Sequence, residues 1–141
     1  MYKRQGLRGA RVVPYHIHPD MAIVLEVTFG DEFSLSDRES SYLGKGPVLS
    51  IGPNYNRKLN KIFIELAKEL NISLQKEVEP YPGGTDASVI AVFELGIPVV
   101  GLSVPIRYMH TPVEVVDIND LKETVRLLRE FILKFDKFKL T

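Results

Sequence analysis

The sequence predicts an α/β fold, with helices layered on a mixed or mostly parallel sheet. Three observations carry this: β-branched apolar runs of strand length, apolar residues recurring every three or four positions, and the alternation of these two patterns along the chain. The length of 141 residues suits one domain built around one core.

The elements follow in order. Gly6 to about Ile17 reads as a helix interrupted by Pro14. Ala22 to Thr28 is an almost unbroken apolar run, expected of a strand buried on both faces. Pro47 to Ile51 is a shorter strand. Asn56 is placed to cap a helix on which Leu59, Ile62, Leu66 and Leu70 share one face. Ser73 to Val78 alternates Leu74, Lys76 and Val78 with Ser73, Gln75 and Glu77, a weaker strand pattern. Thr85 to Leu95 reads as a helix with Gly96 as its stop, and Ile97 to Val104 as the third apolar strand. A last helix runs from Asp117 through Ile118, Leu121, Val125, Leu128, Ile132 and Phe135. Asp117 caps it, and Asp120 in the first turn meets the positive helix end.

Composition narrows the function classes. Eighteen basic against 18 acidic side chains give no broad attraction to nucleic acid or to anionic membrane. With no cysteine, disulfide frameworks and thiolate metal sites are excluded, so any metal falls to His, Asp or Glu. No run approaches the roughly 18 apolar residues of a membrane span, and no leader pattern is present, so a cytoplasmic location is expected.

In open α/β sheets ligands gather beyond the carboxyl ends of strands, which directs attention to the segments after Thr28, Val78 and Val104. His110 lies just past the third strand with Glu114 close behind, a spacing that suits a metal-bound imidazole steadied by a carboxylate; a loop histidine capping the backbone is the plainer alternative. Glu26 interrupts an apolar strand, so it requires a cation, a metal or hydrogen-bond donors unless it faces solvent. Gly83, Gly84, Thr85 and Asp86 precede a helix, where free backbone can approach an anionic group, or where they simply form a turn and N-cap. His16 and His18, two apart on a helix, point to different faces and read as surface histidines.

Together, the segments GLRGA, AIVLEVTFGD, GPVLSIGPN, PGGTDAS and GIPVVGLSVPIRYMHTPVEVVD resemble the tetrahedral, or deblocking, dinuclear metallo-aminopeptidases, whose members also carry the name endoglucanase or cellulase. The resemblance runs from Gly6 to about Phe135. It implies a zinc-peptidase-like three-layer α/β/α catalytic domain with an inserted β-rich domain. The implied chemistry is removal of N-terminal residues from peptides by a water bridging two divalent ions, zinc or cobalt, with manganese also compatible. It also implies peptide substrates and homo-oligomers from dimer to dodecamer. By position, His110 matches the family's last metal-binding histidine, and Glu26 falls where the family has an aspartate ligand. Glu114 then stands behind His110. Gly83, Gly84, Thr85 and Asp86 match the substrate-end loop, and Arg107, with Tyr108, is expected on the same wall.

The departures are as specific. The family carries a Glu-Glu pair, general base and metal ligand, immediately before the segment matched by GLRGA; here Lys3, Arg4 and Gln5 precede it. Neither Lys nor Arg offers a lone pair for that proton, and both repel a dication. No catalytic residue is therefore assigned. On this resemblance residues 1–5 are a junction outside the family pattern, and 6–141 are the C-terminal portion of the catalytic domain. The N-terminal portion and the inserted domain lie outside it. Glu26 and His110 alone leave the metal site incomplete, since a catalytic zinc keeps three protein ligands and a water. The expectation is a chain inactive by itself. The alternatives are a non-catalytic interaction module and a glycoside hydrolase, which needs two carboxylates flanking a sugar bond.

Overall fold

The computed structural model describes residues 5–31 and 41–138. The expected junction at Lys3 and Arg4 lies outside them. Five strands form one mixed sheet: β1 (Ala22–Phe29), β2 (Val48–Ile51), β3 (Gln75–Val78), β4 (Val99–Arg107) and β5 (Val115–Val116). Four helices accompany them: α1 (Arg8–Ile17), α2 (Arg57–Glu69), α3 (Asp86–Ile90) and α4 (Ile118–Leu133). The strand order is β1-β4-β2-β3, with β5 on the end of β4. β1 runs parallel to β4 and β2 parallel to β3, whereas β2 meets β4 antiparallel. The last-made apolar strand is thus the centre of the sheet, and eight of its nine residues are buried.

Helices cover both faces. On one, Leu59, Phe63 and Leu66 of α2 and Leu127 and Phe131 of α4 pack on Leu49, Val100 and Leu102. Phe63 and Phe131 stack at 4.6 Å between ring centroids, which ties the two helices together over the sheet. On the other face Ala87, Phe93 and Ile97 gather around Val24, Val99 and Tyr55. Tyr15 of α1 meets Phe93 edge-on at 4.6 Å.

Caps form where the residue types predict. The Asn56 side chain accepts from the Lys58 and Leu59 N–H groups, and Asp117 accepts from Asn119 N–H. Three expectations change. Helix α1 runs through Pro14, whose ring is buried, so the proline does not interrupt it. The helix expected over Thr85 to Leu95 stops after Ile90: Phe93 N–H bonds to Ile90, Gly96 N–H bonds to Phe93, and Glu94 sits at φ 49°. These tight turns bring the Phe93 ring inward, which a continued helix would not do. The third apolar strand begins at Val99 and runs on through Pro105. β2 pairs with β4 only at Leu102 and Ser103, so the missing N–H of Pro105 interrupts no ladder on that side.

One buried charge closes the fold. The Asp120 carboxylate is 1% exposed and accepts the Gly44 and Gly46 N–H groups, each at 2.7 Å. Gly46 has φ +84°, and a Cβ there would lie 1.9 Å from the Ser73 carbonyl oxygen, so only glycine fits.

Candidate active site

A cavity of about 300 Å³ opens on the α3 side of the sheet. β1 contributes Glu26 and Thr28, β4 contributes Gly101 and Ser103, and the segment after β4 contributes Met109 and His110. Ser50, Tyr55, Glu77, Glu79, Gly83, Gly84 and Thr85 complete the polar wall. The sequence patterns after β1, β3 and β4 thus converge on one space.

Glu26 lies on the sheet face turned toward α3. Its Oε1 accepts the Asp86 N–H at 3.0 Å, at the first residue of that helix. This is the donor a carboxylate inside an apolar strand requires. His110 follows β4 in the left-handed region, φ 69°, as does Tyr108 at 60°. This backbone turns the His110 ring back over β1, where it meets the Phe29 ring edge-on at 6.4 Å.

Glu114 is near His110 but on its backbone: Oε1 accepts the His110 N–H at 2.9 Å. It fixes the loop that carries the imidazole and makes no bond to the ring itself among those observed. Gly83, Gly84 and Thr85 line the cavity, while Asp86 contributes through its N–H to Glu26. Arg107 is directed elsewhere. Its Nε donates to the Asp31 carbonyl at 2.9 Å and its Nη2 bonds to the Asp31 carboxylate, locking the ends of β4 and β1 together. That guanidinium holds the Asp31 carboxyl below the usual carboxylate range, against the opposing effect of burial. Arg107 is not part of the cavity wall. His16 and His18 are exposed on and after α1, away from this space.

Two acidic residues in the cavity have no counterpart in the sequence reading. Thr28 Oγ1 lies 2.9 Å from both oxygens of Glu77, and Tyr55 Oη donates to Glu79 at 2.7 Å. Burial raises the Glu77 pKa first; the Thr28 bond opposes this and the Glu79 charge adds to it. Burial likewise raises the Tyr55 phenol, reinforced by Glu79. The spacing of Glu77 and Glu79, two apart along an extended segment, was the available signal that both face one side.

The cavity therefore holds carboxylates and one imidazole, the donor types that divalent ions accept. The fit to a complete ion site is nevertheless poor. Among the described residues, no group of three or more His, Asp and Glu stands close enough to hold one metal ion.

Comparison with known proteins decides what this arrangement belongs to. The family model for M42 glutamyl aminopeptidase matches residues 5–127. The chain belongs to the M42 family. It is 42% identical over 127 residues to the lysyl aminopeptidase of Pyrococcus furiosus, covering 90% of this chain and 37% of that protein. A TET aminopeptidase of a marine-sediment Thaumarchaeota archaeon superposes with a TM-score of 0.82 at 34% identity, over 90% of this chain and 36% of that one. The TET1 peptidase of Pyrococcus horikoshii, which can assemble into a tetrahedron or a large octahedral shell, superposes at 0.68 with 32% identity, over 89% of this chain and 37% of that one. This M42 chain thus spans little more than a third of the relatives it matches. Its sheet and flanking helices have the zinc-peptidase-like α/β architecture of those relatives.

Proposed function

We propose that this M42 chain is the C-terminal portion of a metal-dependent aminopeptidase catalytic domain, with residues 6–141 in that portion and residues 1–5 as a junction outside it. What carries the reading is the convergence of Glu26 and His110 on one cavity within a chain matched by the family model over residues 5–127. In the whole protein, Glu26 and His110 serve as donors to divalent ions, zinc or cobalt. Gly83, Gly84 and Thr85 form the wall along which the N-terminal end of a peptide lies, and Asp86 holds Glu26 in place. Glu114 positions His110 through its backbone. Arg107 acts through Asp31 and shapes the cavity rim from behind.

The donor set in this chain is too small for a dinuclear centre, which needs both ions to activate water and clamp the reacting carbonyl. No general base is assigned, and the chain by itself does not turn over substrate. Cytoplasmic location and homo-oligomeric assembly belong to the same reading of the whole protein. No helix of the described residues is long and apolar enough to cross a membrane.

An assay of the purified chain against Lys-, Glu- and Leu-p-nitroanilide with zinc or cobalt tests this. The expected result is no turnover above the metal-only control. Turnover that vanishes in His110→Ala would overturn the assignment of inactivity. Metal binding unaffected by Glu26→Gln and His110→Ala together would overturn their assignment as donors.

A further inference from the structure

A second cavity, of about 520 Å³, opens at the start of α2. It shares only Tyr55 with the active-site cavity, and none of the carboxylates or the imidazole found there. Ala91, Ile97, Pro98 and Val99 give it an apolar wall, and Asn54, Asn56, Arg57 and Lys58 give it a polar one. No acidic side chain lines it. The volume is that of a small-molecule site.

Two independent features of the polar wall ask for an anion. Arg57 and Lys58 are the first two residues of α2, both exposed, and no acidic residue joins them in the first turn. Among the described residues neither takes part in an ion pair. Two unanswered cations at the positive end of a helix oppose its dipole, which costs stability while nothing is bound. The Asn56 cap accepts the Lys58 and Leu59 N–H groups and leaves that of Arg57. The second feature is Asn54. It is only 9% exposed, and its buried Nδ2 has no hydrogen-bond partner. Buried amide donors ordinarily find acceptors, and this one belongs to a residue of the cavity wall.

We infer that this cavity binds a phosphate group, free or as the monoester of a small metabolite, with the Asn54 amide, the Arg57 N–H and guanidinium and the Lys58 ammonium as its donors. A dianion balances the two cations. The three terminal oxygens of a phosphate suit donors drawn from three residues better than the two oxygens of a carboxylate do. The start of α2 adds a favourable field for negative charge. The wall of Ile97, Pro98 and Val99 leaves apolar surface for the body of an ester. None of this rests on the aminopeptidase reading.

Titration of the whole chain with inorganic phosphate tests it, followed by heteronuclear NMR and thermal melting, against chloride and acetate at equal ionic strength. Saturable shifts are expected at the Asn54 side-chain amide and the Arg57 backbone N–H. At roughly 20 mM phosphate the melting point is expected to rise by about 3 °C or more. The double variant Arg57→Gln, Lys58→Gln is expected to melt at or above the parent in chloride, since the cations no longer oppose the dipole, yet to bind phosphate about tenfold more weakly or worse. Asn54→Leu removes unanswered donors at similar size, and the same pair of results is expected of it. Phenyl phosphate binding more tightly than phosphate supports a monoester site, and equal affinities support a free-phosphate site. No saturable shift at Asn54, equal shifts with acetate, or undiminished phosphate affinity in the double variant overturns the inference. A double variant that melts below the parent in chloride overturns it too, because the cations would then serve the fold. Should Asn54→Leu fail to fold, the shifts in the parent and the double variant decide.

Discussion

Glu26 Oε1 accepts the Asp86 N–H at 3.0 Å, joining the middle of β1 to the start of α3 sixty residues later. The bond fixes the carboxylate against the turn at residues 83–86 and so aligns two walls of the cavity. Removing the acceptor leaves a partly buried N–H unsatisfied, and Glu26→Ala is expected to cost about 1–3 kcal/mol in urea denaturation. Glu26→Gln keeps an acceptor oxygen and is expected to fold with less than about 1 kcal/mol of change. Equal losses in the two variants would show that the charge, and not the bond, holds the turn.

Glu77 gives a pH signature of opposite sign to an ordinary ion-paired carboxylate. Its pKa is raised in the folded state by burial and by Glu79, so the folded chain binds that proton more tightly than the unfolded chain. Its ionisation therefore costs stability at neutral pH, and the cost disappears as pH falls through its folded pKa toward that of an ordinary glutamate. Glu77→Gln retains an oxygen for the Thr28 hydroxyl and removes the charge. The variant is expected to melt higher than the parent at pH 7 and together with it near pH 4. A lower melting point at pH 7 would mean that the Thr28 bond outweighs the burial of charge.

The framework of this molecule was legible where one face decides the pattern. Leu59, Leu66 and the cap at Asn56 announced α2, and Ile118 onward announced α4, because amphipathic spacing and caps are local. The end of α3 was not, because it depends on Phe93 turning inward to meet Tyr15 and Val99, a tertiary demand that overrides local periodicity. The same division runs through the site. Glu26 and His110 stood out as polar residues beside apolar strands. Glu77 and Glu79 did not, since a charged residue on a short edge strand ordinarily faces water, and only the packing of Tyr55 and Thr28 over them reveals the cavity. Arg107 adjoined the histidine in sequence but alternates away from the cavity to bind Asp31.

Asp120, in the first turn of α4, holds the loop that leads into β2. Its two oxygens accept from Gly44 and Gly46 at 2.7 Å each, and the carboxylate is almost wholly buried. Hydrogen bonds to a charged acceptor contribute about 1.5–3 kcal/mol each, so Asp120→Ala is expected to lose about 3–5 kcal/mol, near the limit of what one substitution does. Asp120→Asn keeps one acceptor oxygen and turns the other into a donor facing an N–H, so about half of that loss is expected. Chemical denaturation of the three proteins measures the series. A loss below about 1 kcal/mol in Asp120→Ala would show that water or relaxed backbone replaces the carboxylate.

Gly101 makes room for the cavity wall. A Cβ there would lie 2.6 Å from Cε1 of Tyr55 and 3.1 Å from the Ser50 Cβ, so the tyrosine ring rests directly on the backbone of the central strand. That close approach sets the height of the Tyr55 hydroxyl, which donates to Glu79 at 2.7 Å. Gly101→Ala must push the ring outward, and overpacking of this kind costs about 1–3 kcal/mol. Tyr55→Phe removes the hydroxyl and leaves the ring in place, with an expected loss of about 0.5–1.5 kcal/mol. In the Tyr55→Leu background the clash is relieved because the smaller side chain can shift, so Gly101→Ala should then cost less than in the parent. A double-mutant cycle in urea reads the difference, with a coupling of about 1 kcal/mol or more expected between positions in direct contact. Additive effects would mean that Ser50, rather than Tyr55, is the neighbour the added methyl displaces.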